Sequence, residues 1–280
     1  MSPLQPKFEK ISQNVISQQV YYLVAMDDSG KRLLEHYKNI YEVSYDFRNE
    51  NLTRLVASYV KKDGVVLDIG CGSGFLLDEL SRRGVNAIGV EPNRDLIELS
   101  KKRNTSLAIL EGRAEDIGAI LKEKVRTAIM IDVLEHIEDD ASFFKTLAPH
   151  IEDGGEVIIV VPAYQFLYGL RDRKYGHYRR YSKRMLRRRL RGSGFSVLFI
   201  RNWNILGVLP YIVSEKILGK ELETSLRKKT NSALGGILQR ILRAWFRWIE
   251  NPINFGFGLS IVCIAKKQEF INRAAGNSDE

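Results

Sequence analysis

The sequence predicts an α/β protein built on a doubly wound, mostly parallel sheet. Short β-branched and aliphatic runs alternate with helical patterns from Val65 to Ile200, as in sheets that carry helices on both faces. A glycine-rich turn joins the first strand to its helix within Val65–Leu80. The chain has 280 residues, 44% hydrophobic and 28% charged, which suits one core with an attached subdomain.

The composition indicates the cellular compartment and the location of the positive charge. The two cysteines, Cys71 and Cys263, form neither a disulfide framework nor a metal-ligand spacing, so we expect a reducing, cytoplasmic protein without a bound metal. We find no signal-peptide pattern and no apolar run near the ~20 residues that span a bilayer. The net charge of +9 is local, because Arg171–Arg191 holds eleven Lys or Arg and one acid. A basic site or surface patch is therefore expected there.

The first strand ends in a turn suited to ligand binding. A buried strand at Val65–Leu67 is followed by Asp68, and a helical pattern begins at Phe75. Glycine permits positive φ and close approach of a ligand, and N–H groups at a helix start attract electron-rich groups. The spacing is neither the dinucleotide G-x-G-x-x-G nor a P-loop. The turn contains three alternate glycines, Gly70, Gly72 and Gly74.

The remaining elements follow in alternation. Strands are predicted at Asn86–Val90, Leu107–Leu110, Val125–Ile131, Glu156–Val161, Phe195–Ile200 and Gly258–Ala265. Helices are predicted at Gln19–Met26, Lys31–Tyr41, Leu52–Val60, Asp95–Arg103, Asp139–His150 and Ser182–Arg191. Asp153–Gly155 is expected to turn the chain before the fifth strand.

The glycine turn resembles a family signature. Asp68-Ile-Gly-Cys-Gly-Ser-Gly74 is similar to the D-x-G-x-G-x-G of class I methyltransferases that use S-adenosylmethionine, and Asp132–His136 resembles the D-x-L-E-H stretch after their fourth strand. The resemblance implies a Rossmann-like, seven-stranded sheet with an antiparallel last strand, S-adenosylmethionine as methyl donor and S-adenosylhomocysteine as product. The implied organisation is an N-terminal helical cap (1–50), a methyltransferase domain (51–202 and 256–268), a helical insert (203–255) and a polar tail (269–280).

The resemblance also implies donor-binding residues. Glu91, followed by Pro92, is expected to read the two ribose hydroxyls, as a fixed carboxylate does in dinucleotide sites. Asp116 is favoured for the adenine amino group, with a helix-capping acid as the alternative. Arg48 is expected to close over the methionine end, or else to be solvated. The complete predicted donor site is Arg48, Asp68, Gly70, Cys71, Gly72, Gly74, Glu91, Pro92, Ala114, Glu115, Asp116, Asp132, Val133 and Leu134.

A basic, aromatic segment is predicted to meet the methyl acceptor. Ala163–Tyr181 reads as one long loop, and long loops in compact domains are usually functional. Its Gly-His-Tyr-Arg-Arg-Tyr stretch resembles the G-H-x-R-R-Y loop of a branch assigned as type 11 or 12 methyltransferases. Methyl transfer needs a nucleophile aligned about 3 Å from the methyl group. The predicted catalytic residues are His177 as general base, His136 and Tyr178, and the predicted substrate-binding residues are Arg179, Arg180 and Tyr181; a solvated lid is the alternative.

The insert contains an amphipathic helix at Ile237–Ile249. An apolar face with Trp beside an Arg-rich face is typical of a helix lying in a membrane interface, and the basic residues 171–191 would add attraction to anionic lipids. Packing on its own sheet, or a homodimer interface, is an equal alternative. The apolar face comprises Ile237, Leu238, Ile241, Leu242, Trp245, Trp248 and Ile249, and the basic face Arg240, Arg243 and Arg247.

Together these features predict a methyltransferase for a small, lipid-linked or sugar-containing, anionic acceptor, peripheral to the membrane. His177 favours methylation at oxygen. A nucleic-acid methyltransferase is suggested by the interleaved Arg and Tyr, but the N/D-P-P-Y motif of base-modifying enzymes is absent after the fourth strand. A non-catalytic, membrane-associated adaptor is disfavoured by the intact glycine turn and Glu91.

Overall fold

The computed structural model describes residues 46–220 and 233–268. The predicted helices at Gln19–Met26 and Lys31–Tyr41, the charged stretch of the insert and the polar tail lie outside these residues. The described strands are β1 (Val66–Ile69), β2 (Ala87–Glu91), β3 (Ala108–Glu111), β4 (Val125–Ile131), β5 (Ile151–Pro162), β6 (Phe195–Trp203) and β7 (Ser260–Lys267). The described α-helices are α1 (Phe47–Tyr59), α2 (Phe75–Arg82), α3 (Arg94–Arg103), α4 (Ile117–Ile120), α5 (Asp140–Leu147), α6 (Leu170–Lys174), α7 (Lys183–Arg191), α8 (Val208–Tyr211) and α9 (Ala233–Trp245).

The seven strands form one sheet in the order β3-β2-β1-β4-β5-β7-β6. The pairs β1–β2, β2–β3, β1–β4 and β4–β5 are parallel. Strand β7 runs antiparallel to both β5 and β6. The order reverses between β1 and β4, where doubly wound sheets bind ligands at the carboxyl ends of the strands. The predicted fold class is confirmed.

Two local predictions differ from the structure. Asp153–Gly155 does not precede the fifth strand but lies inside β5, where the pairing with β4 shifts register and Gly154 has φ +72°. A strand bulge thus replaces the expected turn. The segment 163–181 is not one irregular loop, because Gln165–Leu167 forms a 3₁₀ turn and α6 follows it.

Neighbouring residues of the central strands face opposite sides of the sheet, as the two-residue period of a strand requires. Ile159 belongs to a core closed by residues of α4, α5 and α7, whereas Ile158 belongs to a core closed by residues of α1 and α2. Phe246, which follows α9, is packed in this second core. The insert therefore shares a core with the sheet.

The end of the insert is tied to β6 by two buried polar side chains. Arg201 donates hydrogen bonds to the carbonyls of Glu250, Asn251 and Ile253. The Glu250 carboxylate accepts hydrogen bonds from the backbone N–H of Asn204 at 2.8 Å and from the Trp245 indole at 3.1 Å.

The predicted apolar face of the insert is divided. Leu242 and Trp245 pack against the second core, while four other members remain exposed. These are Ile237 (54%), Leu238 (42%), Ile241 (60%) and Trp248 (68%). Among residues 46–220 and 233–268, no helix combines the length and the apolar character needed to cross a bilayer.

Candidate active site

The glycine turn after β1 depends on positive backbone torsions. Gly70, Gly72 and Gly74 have φ of +70°, +54° and +73°, a region that L side chains rarely adopt. A Cβ at Gly70 would lie 2.7 Å from Cγ2 of Val133, which follows β4. The turn and the end of β4 therefore meet in van der Waals contact. Ser73 is 1% exposed, and its hydroxyl oxygen has no hydrogen-bond partner among the described residues.

Two buried carboxyl groups lie beneath this turn. The Glu91 carboxylate accepts hydrogen bonds from the N–H of Gly72 at 2.8 Å and of Asn93 at 3.0 Å, which links the turn to the end of β2. Burial raises the pKa of Glu91 to about 6, although these hydrogen bonds oppose the rise. Burial, and next the negative charge of Glu91, raise the pKa of Asp68 to about 8. Such an environment favours ligands that donate hydrogen bonds.

Cys71 and Leu134 face the interior. The Cys71 side chain packs with Leu77 and Leu107, and a Cβ at Gly89 would lie 2.6 Å from its sulfur. Leu134 is fully buried in the first core. Both side chains pack in the protein interior, so the predicted contact of these two residues with the donor stays a prediction for their backbone atoms.

The remaining predicted donor residues surround the same edge of the sheet. Asp116 and Glu115 lie in the 3₁₀ turn Ala114–Asp116 after β3, with exposed side chains, and Pro92 is exposed after β2. Asp132, the residue after β4, has φ +53°, an uncommon conformation for a residue other than glycine. Its carboxylate lies 3.7 Å from the Arg48 guanidinium. Arg48 thus connects α1 to the end of β4.

A cluster of ionisable side chains lies where the 3₁₀ turn Leu134–His136, which follows β4, meets the 163–181 segment. The backbone N–H of Tyr178 donates to the carbonyl of Glu135 at 2.7 Å. The rings of His136 and His177 meet edge to face, with centroids 4.6 Å apart. One donor atom from each of Glu135, His136 and His177 lies within 4.8 Å of the other two. The structure therefore brings the two predicted catalytic histidines together.

The orientation of His177 is set by Asp172, a residue that the sequence analysis did not select. Nδ1 of His177 lies 2.9 Å from Oδ1 of Asp172, which is fully buried. Burial opposes ionisation of Asp172, but the hydrogen bond from His177 and the charge of Arg180 outweigh it and hold its pKa at about 2. Asp172 is therefore a carboxylate that fixes the imidazole ring.

Arg180 and Tyr181, which were predicted to bind substrate, are instead buried and bonded to protein groups. Arg180 is 5% exposed; Nε lies 2.9 Å from both Asp172 oxygens, and its guanidinium lies 4.5 Å from the ring centroid of Tyr211. Tyr181 is fully buried, and its hydroxyl bonds the carbonyl of Leu134 and the carboxylate of Asp140. Both side chains support the segment internally because protein groups surround their polar atoms.

Arg179 and Tyr178 have different surroundings. The Arg179 guanidinium donates to the carbonyls of Ile137 at 2.8 Å and Glu138 at 2.6 Å. It holds the segment against the turn after β4 and lies 3.6 Å from the buried carboxylate of Asp140. Its predicted contact with an anionic acceptor stays a prediction. The Tyr178 ring is 52% exposed at the rim. The contacts predicted for His177 and Tyr178 with an acceptor stay predictions.

A family model described as a methyltransferase domain matches residues 40–199. The chain belongs to this methyltransferase family. Solved structures show the same class I S-adenosylmethionine-dependent fold. A methyltransferase structure from Archaeoglobus fulgidus is 20% identical and has a TM-score of 0.53, and the match covers 78% of this chain and 94% of that chain. The plantazolicin methyltransferase BpumL, in complex with S-adenosylhomocysteine, is 12% identical and has a TM-score of 0.55. The match covers 87% of this chain and 91% of that chain.

Two relatives at sequence level are named ubiquinone biosynthesis O-methyltransferase, mitochondrial. The protein from Schizosaccharomyces pombe is 31% identical over 137 residues, 47% of this chain and 48% of its own length. The protein from Bos taurus is 28% identical over 159 residues, which are 51% of this chain and 42% of the length of that protein. The methyltransferase described here thus spans about half the length of these curated relatives.

The glycine-turn site fits S-adenosylmethionine, the methyl donor of this enzyme class. The unpartnered Ser73 hydroxyl and the two buried carboxyl groups supply polar atoms for a ligand that donates hydrogen bonds. The glycines leave the backbone open to close approach. Glu91 and Asp68 would hold the ribose and amino-acid ends, and the backbone beside Val133 would line the reacting end.

Proposed function

We propose that this methyltransferase methylates a hydroxyl oxygen of a small, lipid-linked acceptor. The observation that carries the proposal is the Asp172–His177 pair beside His136, at the carboxyl edge of the sheet. A carboxylate-oriented imidazole is the usual means of activating a hydroxyl. Support also comes from the relatives named for O-methylation in ubiquinone biosynthesis.

The donor supplies a methyl group on a positively charged sulfur. The protein must keep water away and direct one acceptor oxygen at that carbon. The acceptor oxygen would form the new bond to carbon as the sulfur–carbon bond breaks, the electron pair would stay on sulfur, and the hydroxyl proton would pass to Nε2 of His177. His177 and His136, which lie close to each other, would orient this hydroxyl, and the exposed ring of Tyr178 would flank it.

The lipid-linked part of the acceptor is supported by the surface of the insert. Ile237, Ile241 and Trp248 are each more than half exposed, although burial of such side chains is the norm in soluble proteins. An apolar surface of this kind, bordered by arginines, suits the interface of an anionic membrane. There it would bring the site to a membrane-embedded substrate.

The chemistry can be tested with three methyl acceptors: a phenol with a farnesyl chain, the same phenol without it, and an aniline with the chain. We expect radioactive methyl transfer to the farnesylated phenol, at least tenfold slower transfer to the bare phenol, and none to the aniline. His177→Gln should lower transfer at least 100-fold with unchanged affinity for S-adenosylhomocysteine, while His150→Gln, outside the site, should match the wild type. Transfer only to the aniline, or salt-sensitive methylation of RNA, would refute the proposal.

Membrane attachment can be tested with vesicles containing 30% phosphatidylserine. Changing Ile237, Ile241 and Trp248 together to Ser should reduce pelleting of the protein with these vesicles at least tenfold and leave its thermal unfolding unchanged, because the three side chains are exposed. The matched control, Leu198→Ser, removes an apolar side chain of β6 that is also more than half exposed, and it should pellet as the wild type does. Equal pelleting of wild type and triple variant would exclude this surface as the attachment site.

A further inference from the structure

A groove lies between α1 and the end of the insert, away from the residues expected to bind the methyl donor and the acceptor. Its larger part has a volume of about 430 Å³, a size typical of sites for small ligands. A smaller part of about 260 Å³ adjoins it, because Asn51, Arg54 and Arg247 line both parts. Arg54 belongs to α1, and Arg247 belongs to the helical turn after α9. The two walls of the groove therefore each supply a guanidinium group.

The charged side chains that line the groove are not balanced. Three arginines, Arg54, Arg243 and Arg247, are accompanied by one acid, Glu50, which gives the lining a net charge of +2. The Glu50 carboxylate lies 2.8 Å from the Arg54 guanidinium and 3.3 Å from Nε of Arg243. Arg247 has neither a hydrogen bond nor an ion pair within residues 46–220 and 233–268, and its guanidinium lies over an exposed tryptophan ring. Arg247 is therefore available to an anion.

Two features of the arginines favour an anion between them. Arg243 and Arg247 are four residues apart in the continuous helical stretch 233–250, and like charges at this spacing repel each other. Nε of Arg243 is buried and has no hydrogen-bond partner in the described part of the chain. A buried donor without a partner is costly. An anion that accepts hydrogen bonds in the groove would reduce both costs.

Asn251 adds an uncharged donor to the lining. Its side-chain oxygen accepts a hydrogen bond from the Trp203 indole at 3.0 Å, which orients the amide, and its side-chain nitrogen has no partner among the described residues. Guanidinium groups bind phosphate oxygens through paired, charge-assisted hydrogen bonds. A tetrahedral phosphate also presents more acceptor oxygens than a carboxylate, so it can meet donors from both walls at once. The donor set therefore suits a phosphate group.

We infer that this groove binds one phosphate group, held by Arg54 and Arg247 from its two walls and by the amide of Asn251. The phosphate belongs either to a soluble organic phosphate or to a lipid headgroup. Trp248, which is exposed, lines the smaller part of the groove, and Ile241, also exposed, lies seven residues earlier on the same helical face. A hydrocarbon chain attached to the phosphate would meet these apolar side chains, which favours the lipid source.

Calorimetry on the full chain tests the site with inorganic phosphate, glycerol 3-phosphate, dihexanoyl phosphatidic acid and dihexanoylglycerol, the lipids being kept below their micelle concentrations. We expect one phosphate-bearing molecule per chain, and phosphatidic acid should bind at least tenfold more tightly than glycerol 3-phosphate. Equal affinities for these two would support the site and identify a soluble phosphate as the source. The inference would be overturned if no phosphate probe bound saturably, or if dihexanoylglycerol bound as tightly as phosphatidic acid.

A matched pair of arginine variants separates the groove from general surface charge. Arg247→Gln should weaken the binding of glycerol 3-phosphate at least tenfold, because it removes one of the two opposed guanidinium groups. Arg240→Gln changes an exposed arginine of α9 that does not line the groove, and it should bind as the wild type does. Equal weakening in the two variants would show that overall charge attracts the probe, and it would contradict the proposed site.

Thermal unfolding gives a second readout and shows whether the variants fold. Without phosphate, Arg247→Gln should unfold at the temperature of the wild type or slightly above it, because it removes a repulsive pair. Millimolar glycerol 3-phosphate should raise the unfolding temperature of the wild type and of Arg240→Gln, and leave that of Arg247→Gln unchanged. An equal rise in all three proteins would exclude Arg247 as a phosphate ligand.

This inference does not rest on the proposed O-methylation, because its readouts need no methyl acceptor. If the phosphate probes bind as expected and phosphatidylserine vesicles do not pellet the protein, the phosphate site stands and membrane attachment is refuted. If the vesicles pellet the protein and no phosphate probe binds saturably, attachment through the apolar surface stands and the phosphate site is refuted.

Discussion

At the scale of single residues, Gly70 meets two constraints at once. Its φ of +70° disfavours any side chain, and the space where a Cβ would lie is occupied by Val133. Gly70→Ala should lower the free energy of unfolding by about 3 kcal/mol, combining about 1 kcal/mol of backbone strain with overpacking. It should also abolish calorimetric binding of S-adenosylhomocysteine, because the displaced turn forms the site.

A glycine elsewhere separates the two contributions. Gly84, after α2, has the same φ of +70°, but a Cβ there would meet nothing within 4 Å. In urea unfolding, Gly84→Ala should lose only about 1 kcal/mol and keep full ligand affinity. Adding Val133→Ala to Gly70→Ala should restore the steric part of the loss. Equal losses at Gly70 and Gly84 would show that the contact with Val133 is unimportant.

Glu91 is expected to bind the methyl donor, but its burial lowers the free energy of unfolding of the ligand-free protein at neutral pH. Its pKa rises from 4.5 to about 6 on folding, so the folded protein binds this proton more tightly than the unfolded chain. The resulting stability is complete below pH 4.5 and is lost as pH rises through about 6. Asp68, with a pKa of about 8, acts in the same direction. Ligand-free protein should therefore become less stable between pH 5 and 7.5.

The comparison of Glu91→Gln with the wild type isolates this effect. In urea unfolding, the free energy of unfolding of the variant should rise by about 1 kcal/mol relative to that of the wild type as the pH goes from 5 to 7.5. Its affinity for S-adenosylhomocysteine should fall at least tenfold. Glu98→Gln, an exposed acid on α3, serves as the control and should follow the wild type. A constant difference across this pH range would mean that Glu91 is not the titrating group.

At the scale of elements, the 163–181 segment is held as a unit by its buried ion pair. Asp172 bonds Arg180, His177 and the N–H of Gly169, and backbone hydrogen bonds join Tyr164 and Pro162 to Tyr181 at the base of the segment. The basic residues counted in the sequence therefore include some that serve inside the protein. Exposed members of the same run, such as Arg188, carry the surface charge.

Removing one partner should destabilise this element strongly. Arg180→Gln leaves a buried carboxylate without its counter-charge, so we expect a loss of about 3 kcal/mol in urea unfolding and faster proteolysis within 163–181. Arg188→Gln should change stability by less than about 0.5 kcal/mol. Asp172→Asn combined with Arg180→Gln should recover at least half of the loss. A double variant no more stable than Arg180→Gln would show that the charge pair is not the cause.

At the scale of the whole molecule, local patterns predicted the sheet and the glycine turn well. The runs that became β1, β2 and β4 are short, apolar and bounded by polar or glycine residues, so their identity depends on neighbours in sequence. Contacts between distant residues were not predictable in this way. Asp172 pairs with Arg180 and Tyr211, and Arg180 is buried rather than presented to substrate. A single sequence does not show which charges meet.

The insert shows the same limit on a larger scale. A hydrophobic face on a helix predicts burial against something, but not against what. The structure divides that face: Leu242 and Trp245 pack against the second core, while Trp248 remains exposed. Phe246, which is outside the predicted face, packs between Trp203 and Phe47, with ring centroids 5.1 and 5.9 Å away. Leu242, Trp245 and Phe246 therefore join the helical part of the insert, residues 233–250, to the second core. We expect this part to unfold with the sheet instead of as a separate domain.

Two probes test this cooperativity, because all three tryptophans of the chain, at positions 203, 245 and 248, lie at or in the insert. Tryptophan fluorescence therefore reports on the unfolding of the insert, whereas far-ultraviolet circular dichroism reports on the whole fold. In urea the two transitions should coincide. Phe246→Ala should shift both together by about 3 kcal/mol, the usual cost of a cavity of this size, whereas Trp248→Ala should shift neither by more than about 0.5 kcal/mol. A fluorescence transition that precedes the dichroism transition would instead identify the insert as an independent unit.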